Sequence, residues 1–290
     1  MTDILNTLEN LFVMIFVLAS MFGLGLSLTL KEVWAPLRNI PLVLKSLAAN
    51  FILVPLLALL LVWLFGLDQW LAAGLFVMAV VAGAPMLAKY AQMAKGNLAY
   101  AAGLMALLQI ITVIYAPFVL PLFLPGVHVD PWGILKSLLS SMLLPFAIGL
   151  FVRARYESLA DTLNPHASHA SSLAMLGMMV AALLLYAGDL LSVFGKGAIL
   201  AALLFVAGSL VLGYLFGGPE RDTRVVLGLG TAQRNISAAM LVTVQNFSQQ
   251  PNVLLMVLVG SLAMMVINAP VAGEWGKRIK DLTGAEATTS

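Results

Sequence analysis

Long apolar runs are the feature that most constrains the fold of this chain. Of its 290 residues, 61% are hydrophobic and 10% are charged, whereas soluble domains carry about 25% charged residues. A helix needs about 20 apolar residues to cross a bilayer, and continuous runs of that length exclude the alternating pattern of a membrane barrel. The sequence therefore predicts an all-α integral membrane protein. Nine spans are predicted, at about 8–30, 41–65, 69–95, 97–123, 132–154, 169–190, 197–217, 223–247 and 251–273.

The basic residues predict how these spans are oriented, because cytoplasmic loops are enriched in lysine and arginine. Alternate loops and the C-terminal tail are basic, and the opposite loops hold only Lys136 and Lys196, both near span ends. We therefore expect a cytoplasmic tail at 274–290, an external N-terminus and a bacterial inner membrane as the location. The N-terminus lacks a basic segment, so no cleaved signal peptide is expected. The basic side carries Lys31, Arg38, Lys45, Lys95, Arg153, Arg155, Arg221, Arg224, Lys277, Arg278 and Lys280.

The residue inventory argues against several classes of function. The chain has no cysteine, which excludes disulfides and thiolate metal sites. His128, His166 and His169 fall in or beside predicted loops, and every carboxylate lies in a predicted loop, a tail or a span end. An enzyme would need an embedded acid, base or nucleophile, so enzymatic activity is not expected. No metal site, cofactor or nucleic-acid partner is predicted either.

Two cations, Lys89 and Arg234, fall inside apolar segments, where a charge costs about 2.5–3.5 kcal/mol at a helix centre. Each lies six residues after a glycine, at the end of segments 83–89 and 228–234. Small residues or proline interrupt the predicted span in both segments. Broken helices in corresponding places of two halves indicate a transporter site. Their amide ends attract anions and their carbonyl ends attract cations. The predicted crossover hinges are Gly83, Pro85, Gly228 and Gly230.

Two uncompensated cations predict a small organic anion as substrate, bound by a planar guanidinium and a compact ammonium. Polar residues near them supply candidate hydrogen-bonding groups, although polar side chains in membrane helices also bond neighbouring helices. Tyr90, Gln92 and even Lys89 could instead reach the cytoplasmic interface near Lys95. The candidates are Asn50, Tyr90, Gln92, Thr231, Gln233, Asn235 and Ser237, with Gln109, Thr112 and Asn268 as weaker ones.

The segments 21–31, 50–55, 94–97 and the stretch from Asn235 onward resemble the bile acid:sodium symporter family. The resemblance implies a single domain over 1–290, built as an inverted repeat of five-helix units, with a core and a panel domain and two discontinuous helices that cross. Family members have ten helices, and this chain would begin at the second. The first repeat, about 8–123, would then lack one helix, and the second would cover about 132–273.

The sodium ligands of the family do not align with suitable residues here. Its serine–asparagine pair falls on Leu87 and Ala88, and its glutamate falls on Gly230. Its glutamine falls on Arg234, and the hydroxyls of the next helix fall on Ala101 and Met105. Sodium requires oxygen ligands, and a nearby guanidinium would repel it. We therefore expect sodium binding to be doubtful, with Lys89 and Arg234 replacing the two ions.

The resulting hypothesis is a secondary transporter of a small or amphipathic carboxylate, working by alternating access without sodium. A proton-coupled or exchange transporter of another anion is one alternative. Arsenite efflux, the activity of a related branch, is disfavoured because thiol chemistry would favour a cysteine. A non-transporting membrane receptor or scaffold is the alternative from a different class, and it leaves the paired broken helices unexplained. Substrate identity, direction, coupling ion and oligomeric state stay open.

Overall fold

The computed structural model describes residues 2–34, 38–123, 130–194 and 197–288, and within these ranges the chain is helical with no strand. The first half contains α1 (Thr2–Ser27), α2 (Leu30–Trp34), α3 (Ile40–Ala48), α4 (Val54–Phe65), α5 (Gln69–Val80), α6 (Leu87–Met93) and α7 (Leu98–Phe123). The second half contains α8 (Pro131–Leu138), α9 (Leu144–Arg155), α10 (Glu157–Phe194), α11 (Ala198–Phe216), α12 (Arg221–Ala232), α13 (Ile236–Asn246) and α14 (Pro251–Thr288).

Seven helical segments of the described chain are long and apolar enough to cross a membrane. The protein is therefore a multi-pass membrane protein, and the predicted count of nine crossings stays a prediction. The other two predicted spans correspond to α5 with α6 and to part of α10. The seven segments are Thr7–Ser27, Ile40–Phe65, Leu98–Phe123, Pro131–Arg155, Ala198–Phe216, Arg221–Asn246 and Pro251–Arg278.

Both predicted interruptions exist, and the second lies at the C-terminal end of its predicted segment rather than at the predicted hinge glycines. After α5 the backbone is extended at Val81, and α6 begins at Leu87, so the break contains Gly83 and Pro85 as expected. In the second span, α12 continues through Gly228 and Gly230 to Ala232, and Gln233 and Asn235 take extended conformations before α13. The hinge role predicted for Gly228 and Gly230 is therefore corrected: the chain unwinds at 233–235.

The glycines of α12 serve close helix packing, which explains why they do not interrupt it. A Cβ atom on Gly228 would lie 3.2 Å from the carbonyl oxygen of Leu210 in α11, and one on Gly230 would lie 2.9 Å from Leu87 Cδ2. Gly213 makes the reciprocal contact from α11, where a Cβ would lie 2.4 Å from the carbonyl oxygen of Leu227. α12 thus fits between α11 and α6.

Two spans contain a π-helical turn that is followed by a proline. Ala49–Leu53 joins α3 to α4, where Pro55 follows, and Leu139–Leu143 joins α8 to α9, where Pro145 follows. Proline has no N–H and obstructs the carbonyl four residues earlier, so the preceding turn needs other donors. Widened turns of this kind occur often at functional sites. Both spans thus combine a π turn with a proline two residues after it.

The helices pack as two groups that meet around the breaks. α1 lies against α9 and α10, while α5, α11, α12 and α14 pack among themselves. α1 and α9 touch through their backbones: a Cβ on Gly25 would lie 2.2 Å from the carbonyl oxygen of Phe146, and one on Gly149 would lie 2.4 Å from that of Phe22. Close approach through small residues is typical of membrane helices.

Three further expectations differ in detail. Glu9 lies at a span end as predicted, near the start of Thr7–Ser27, but is buried at 5% exposure. His166 and His169 lie on α10 rather than in loops, and part of the predicted tail extends α14 as far as Thr288. His128 and Lys196 lie outside the described residues.

We expect Gly25→Ala to destabilise the protein by about 1–3 kcal/mol, because the new methyl group must force α1 and α9 apart. Gly273→Ala is the matched control, since a Cβ at that helical position meets nothing within 4 Å. Thermal unfolding in detergent measures both. Equal unfolding temperatures for the two variants would contradict the backbone contact.

Candidate functional site

The two breaks meet and bond to each other, and we call their meeting point the crossover. The Asn235 backbone N–H donates to the carbonyl oxygen of Val81 at 3.5 Å, and its Nδ2 donates to the carbonyl oxygen of Gly83 at 3.2 Å. Asn235 is fully buried. The second break therefore supplies donors to carbonyls that the first break leaves without helical partners.

Asn235 also begins the helix that follows it. Its Oδ1 accepts hydrogen bonds from the backbone N–H of Ala238 at 3.1 Å and from Ser237 Oγ at 2.7 Å. An asparagine at this position satisfies one of the free N–H groups of a helix N-terminus. Its Nδ2 additionally donates to Gln109 Oε1 on α7 at 3.2 Å. One side chain thus joins both breaks, α7 and the start of α13.

α7 holds the first break from the other side. Thr112 Oγ1 accepts from the Ala82 backbone N–H at 2.9 Å and lies 3.3 Å from the carbonyl oxygen of the same residue. Gly83 has a φ of 82°, a conformation that favours glycine. A Cβ there would lie 2.4 Å from the backbone nitrogen of Gln109. Both the backbone angle and the space at position 83 therefore require glycine.

The guanidinium of Arg234 is fully buried in the second break, and its five N–H groups match five acceptor contacts. Nε donates to the carbonyl oxygen of Met78 at 3.1 Å. Nη1 donates to Asn50 Oδ1 at 2.7 Å and to the Thr231 carbonyl at 3.3 Å. Nη2 donates to the Ala79 carbonyl at 2.7 Å and to the Asn50 carbonyl at 3.5 Å.

Each of these acceptors is a neutral oxygen at a place that favours a positive charge. Met78 and Ala79 lie in the last turn of α5, and Thr231 lies in the last turn of α12. Helix carboxyl ends carry negative partial charge. No carboxylate contacts the guanidinium in the described ranges. Arg234 therefore occupies a cation position built from backbone carbonyls and one amide, and no described residue supplies it with a counter-ion.

The π turn after α3 contributes two of the oxygens that contact Arg234, both from Asn50. It also leaves a further carbonyl, that of Phe51, without its helical donor. Pro55 cannot donate to the preceding turn, and the carbonyl of Phe51 accepts a hydrogen bond from the Tyr115 hydroxyl on α7 instead. The carbonyl of Asn50, one residue earlier, faces Arg234. Asn50 Nδ2 donates to the Thr231 hydroxyl at 3.2 Å, which fixes its Oδ1 toward the guanidinium. The predicted residues Asn50, Thr231 and Arg234 thus form one buried cluster.

The positions that the resemblance assigned to the other sodium ligands hold apolar residues, of which Ala88 lines a cavity and the others are buried. Leu87 is buried against Gly230, and a Cβ on that glycine would also lie 3.2 Å from Leu104 Cδ2. Ala101 and Met105 are fully buried. Leu87, Leu104 and Met105 therefore offer no side-chain oxygen to a hard cation in this part of the crossover.

A cavity of about 860 Å³ lies on one side of the crossover, within the size range of small-molecule sites. One wall comes from α1 and α10, and the other comes from both breaks, α6, the start of α7 and the start of α13. Its charged lining residues are Lys89, Arg234 and Glu32. Arg234 is fully buried against carbonyls, so Lys89 is the cation whose charged group is exposed to the cavity among the described lining residues.

Lys89 lies in this cavity rather than at a carbonyl end. It is on α6, three residues beyond Met86, and its side chain is exposed. Arg234, by contrast, lies inside its break. The expected equivalence of the two cations is therefore corrected, because the second break falls after Ala232 instead of at Gly228. Among the described residues Lys89 makes no ion pair, so its ammonium is available to a bound anion.

The N-terminus of α13 faces the same cavity. Ile236 and Ser237 line it, and these are the first residues of an 11-residue helix. The N–H groups of a first helical turn lack helical partners and carry positive partial charge, which favours a bound anion. Lys89 and this helix end together give the cavity two independent reasons to hold a negative group.

The structure brings most predicted polar residues together. Gln92, Gln233, Asn235 and Ser237 line the cavity. Tyr90 is buried and does not line it. The carbonyl acceptors carry no signal in the sequence, because every residue has a carbonyl. A detectable signal was missed on α10, where polar residues recur at helical spacing along the wall of the cavity. These residues are Asn164, Ser168, Ser171 and Ser172.

Comparison with known proteins identifies similar membrane transporters. The sequence profile of the Sodium Bile acid symporter family matches residues 13–194, which include Lys89 but not Arg234. The "Probable sodium/metabolite cotransporter BASS3, chloroplastic" of Arabidopsis thaliana is 25% identical over 271 residues, 90% of this chain and 62% of that protein. Its BASS1 counterpart is 24% identical over 264 residues, 88% and 64% respectively.

A human protein, "Sodium/bile acid cotransporter 4", is 28% identical over 167 residues, which are 54% of this chain and 37% of that protein. The chain therefore spans less than two thirds of the length of the plant relatives, at 62% and 64%. The family profile nevertheless covers more than half of the chain. The protein thus belongs to the sodium bile acid symporter family, whose members are membrane transporters rather than enzymes.

Proposed function

We propose that this protein is a secondary transporter of a small organic carboxylate that works by alternating access without sodium. The observation that carries the proposal is Arg234, a buried cation whose five N–H groups contact five neutral oxygens. The relatives are named as sodium cotransporters, so independence from sodium is a property proposed for this chain.

Arg234 supports this proposal because its positive charge is always present beside these carbonyls, whereas an ion would supply a charge there only while it is bound. The carboxyl ends of α5 and α12 converge on one point, and an empty site there would leave their carbonyls unpaired in the membrane. Each buried group without a partner costs about 1–3 kcal/mol. A guanidinium satisfies these groups and keeps its charge at physiological pH. A second cation at the same point would meet strong repulsion.

Lys89 is assigned to the substrate instead of to a second ion position. Its exposed ammonium lines the cavity together with the first turn of α13. The family's other ligand positions hold Leu87 and Gly230, which have no side-chain oxygen. A carboxylate between Lys89 and the α13 N-terminus would gain charge-assisted hydrogen bonds from both. An organic anion is therefore the substrate class that the charge of this cavity favours.

The residues that line the cavity also indicate the side of the membrane toward which it opens. Glu32 and Leu98 border the cavity near Lys31 and Lys95, which belong to the basic side of the chain. By the positive-inside rule that side is cytoplasmic. We therefore assign the described conformation to the state whose cavity faces the cytoplasm.

Uptake into proteoliposomes tests sodium independence directly. With a panel of short-chain and branched-chain carboxylates, we expect the same initial rate in sodium chloride and in choline chloride. A rate that collapses when choline replaces sodium would overturn the proposal. Saturable binding without any uptake would instead favour a receptor.

Arg234→Gln restores the residue type of the family's sodium site and leaves the carbonyls of Met78 and Ala79 without their donors. We expect a loss of about 3–5 kcal/mol of stability, the usual result of removing one partner from a buried charged cluster. Thermal unfolding in detergent measures the loss, and sodium should restore part of it because free oxygens can then bind the ion. Arg234→Lys, which keeps the charge, is the control. Unchanged stability in Arg234→Gln would contradict the role assigned to the guanidinium.

Lys89→Gln should weaken carboxylate binding about tenfold or more, since a charge-assisted hydrogen bond contributes roughly 1.5–3 kcal/mol. The measurement is the half-saturating concentration for uptake. Lys45→Gln removes an exposed lysine of α3 outside the cavity and serves as the control. Equal affinities in the two variants would remove Lys89 from the substrate site.

A further inference from the structure

A second, smaller cavity lies at the opposite end of α13 from the substrate cavity. Ser237 lines the substrate cavity near the start of α13, whereas Thr243 lines the smaller cavity from the last turn of the same helix. An 11-residue helix is roughly 16 Å long. The smaller cavity has a volume of about 220 Å³, and none of its described lining residues lines the larger one. The two cavities are therefore separate.

The smaller cavity lies between helices of the two groups described above. Its lining comes from α1, the end of α13, the start of α14 and the turn that joins α13 to α14. α1 packs against α9 and α10 on one side and against α13 on the other. The polar lining residues are Glu9, Asn10, Thr243, Ser248, Gln249 and Gln250.

Glu9 sets the charge of this cavity. It is 5% exposed, and among the described lining residues it alone carries a charged group. The carboxyl end of α13 and the amino end of α14 also border the cavity, and their partial charges, about half a unit each and opposite in sign, offset one another. A carboxylate accepts about four hydrogen bonds on its two oxygens, so Glu9 can bind a ligand alongside its other contacts. A cationic ligand and the ionised carboxyl group stabilise each other.

Thr243 gives a second, independent indication of a ligand. It is 1% exposed and lines the cavity, and its Oγ1 has no hydrogen-bond partner in the part of the chain that the structure describes. Buried hydroxyl groups nearly always have a partner, so this one calls for an explanation. The carbonyls of the last turn of α13, at 244–246, also lie beyond the reach of helical donors. A ligand that carries N–H groups can donate to acceptors of both kinds.

The remaining wall indicates an organic ligand rather than a metal ion. Phe247 and Leu254 line the cavity and are 3% and 5% exposed, which gives it an apolar side. The described residues contain no group of three or more His, Cys, Asp or Glu side chains that could hold a metal ion. Calcium takes six to eight oxygen ligands and is usually held by several carboxylates. One carboxylate beside an apolar wall is better matched by an ammonium group on a short hydrocarbon chain.

We propose that this cavity binds a small organic ammonium ion. Its N–H groups donate to the Glu9 carboxylate and the Thr243 hydroxyl, and its hydrocarbon part packs on Phe247 and Leu254. The bound ion joins α1 to α13 and α14. The proposal does not depend on the proposed function, because the site shares no described lining residue with the substrate cavity.

Four probes test the class of ligand: n-butylammonium, n-butanol, potassium and calcium. Their binding is measured by calorimetry on the purified protein in detergent at constant ionic strength. We expect n-butylammonium to bind about tenfold or more tightly than n-butanol, because a hydrogen bond between charged groups is stronger than one between neutral groups. Equal affinities of these two, or no binding of n-butylammonium, would overturn the proposal. Tighter binding of potassium or calcium would overturn the organic class of the ligand.

A carboxyl variant locates the site. Glu9→Gln should weaken the binding of n-butylammonium about tenfold or more, because it removes the charge and keeps the shape. Glu157→Gln, which removes an exposed carboxylate outside both cavities, is the matched control and should keep the affinity of the unchanged protein. Equal affinities in the two variants would overturn the assignment of Glu9.

A hydroxyl variant keeps the test decisive if Glu9→Gln fails to fold. Thr243→Val should weaken n-butylammonium binding about threefold or more, the usual effect of losing one hydrogen bond. The unfolding temperature of the ligand-free protein should not fall, since Oγ1 has no described partner to lose. Unchanged affinity would overturn the role of Thr243. A lower unfolding temperature would also overturn it, because the hydroxyl would then serve the fold instead of a ligand.

Discussion

The requirement that backbone polar groups find partners inside a membrane governs the centre of this molecule. Lipid offers no donors, so every carbonyl released by an unwound helix must be satisfied by the protein or by a bound species. The carboxyl ends of α5 and α12 release such carbonyls close together, and a π turn before α4 adds another. Arg234 contacts carbonyls from all three sources. Its charge and the irregular backbone around it therefore stabilise each other.

The same cluster links the substrate cavity to the rest of the fold. Asn235, the neighbour of Arg234, bonds both breaks and α7 while it caps α13. The N-terminus of α13, which faces the cavity, is thus capped by Asn235, the same residue that joins the two breaks. A change in the substrate position can reach α7 and α5 through hydrogen bonds that are already present. Such a contiguous network is a physical basis for coupling, and double-mutant cycles between Asn235 and Gln109 would measure it.

Much of the fold was predictable from the sequence, because apolar runs and prolines are strong signals in a membrane protein. The interruption at Gly83 was found where the sequence placed it. The second lies inside its predicted segment, but its hinge is displaced from Gly228 and Gly230, which look like hinges in the sequence but allow close contact with α11 and Leu87. Sequence alone cannot distinguish a glycine that unwinds a helix from one that lets a neighbour approach. This displacement also removed the expected equivalence of Lys89 and Arg234.

The candidate site was predictable only in its side chains. Asn50, Thr231 and Asn235 were recognised because polar residues in apolar segments stand out. The carbonyls around Arg234 carry no sequence signal, and the role of Tyr115 depends on Pro55 freeing an acceptor on another helix. The sequence marked Gln233 only as one of several candidate hydrogen-bonding residues. Its hydrogen bond to Asn268 depends on the relative positions of α12 and α14, which the sequence does not show.

A covalently attached cation also changes the thermodynamics of transport. An ion that binds and dissociates moves with its substrate and adds its own gradient to the driving force, whereas the Arg234 guanidinium stays with the protein through every cycle. On the proposed function, a monovalent anion would then respond only to its own concentrations and to the membrane potential. That potential contributes about 2.3 kcal/mol per charge at 100 mV. With a negative interior it drives anions outward, so a carrier that uses Arg234 in place of sodium is suited to export or to exchange.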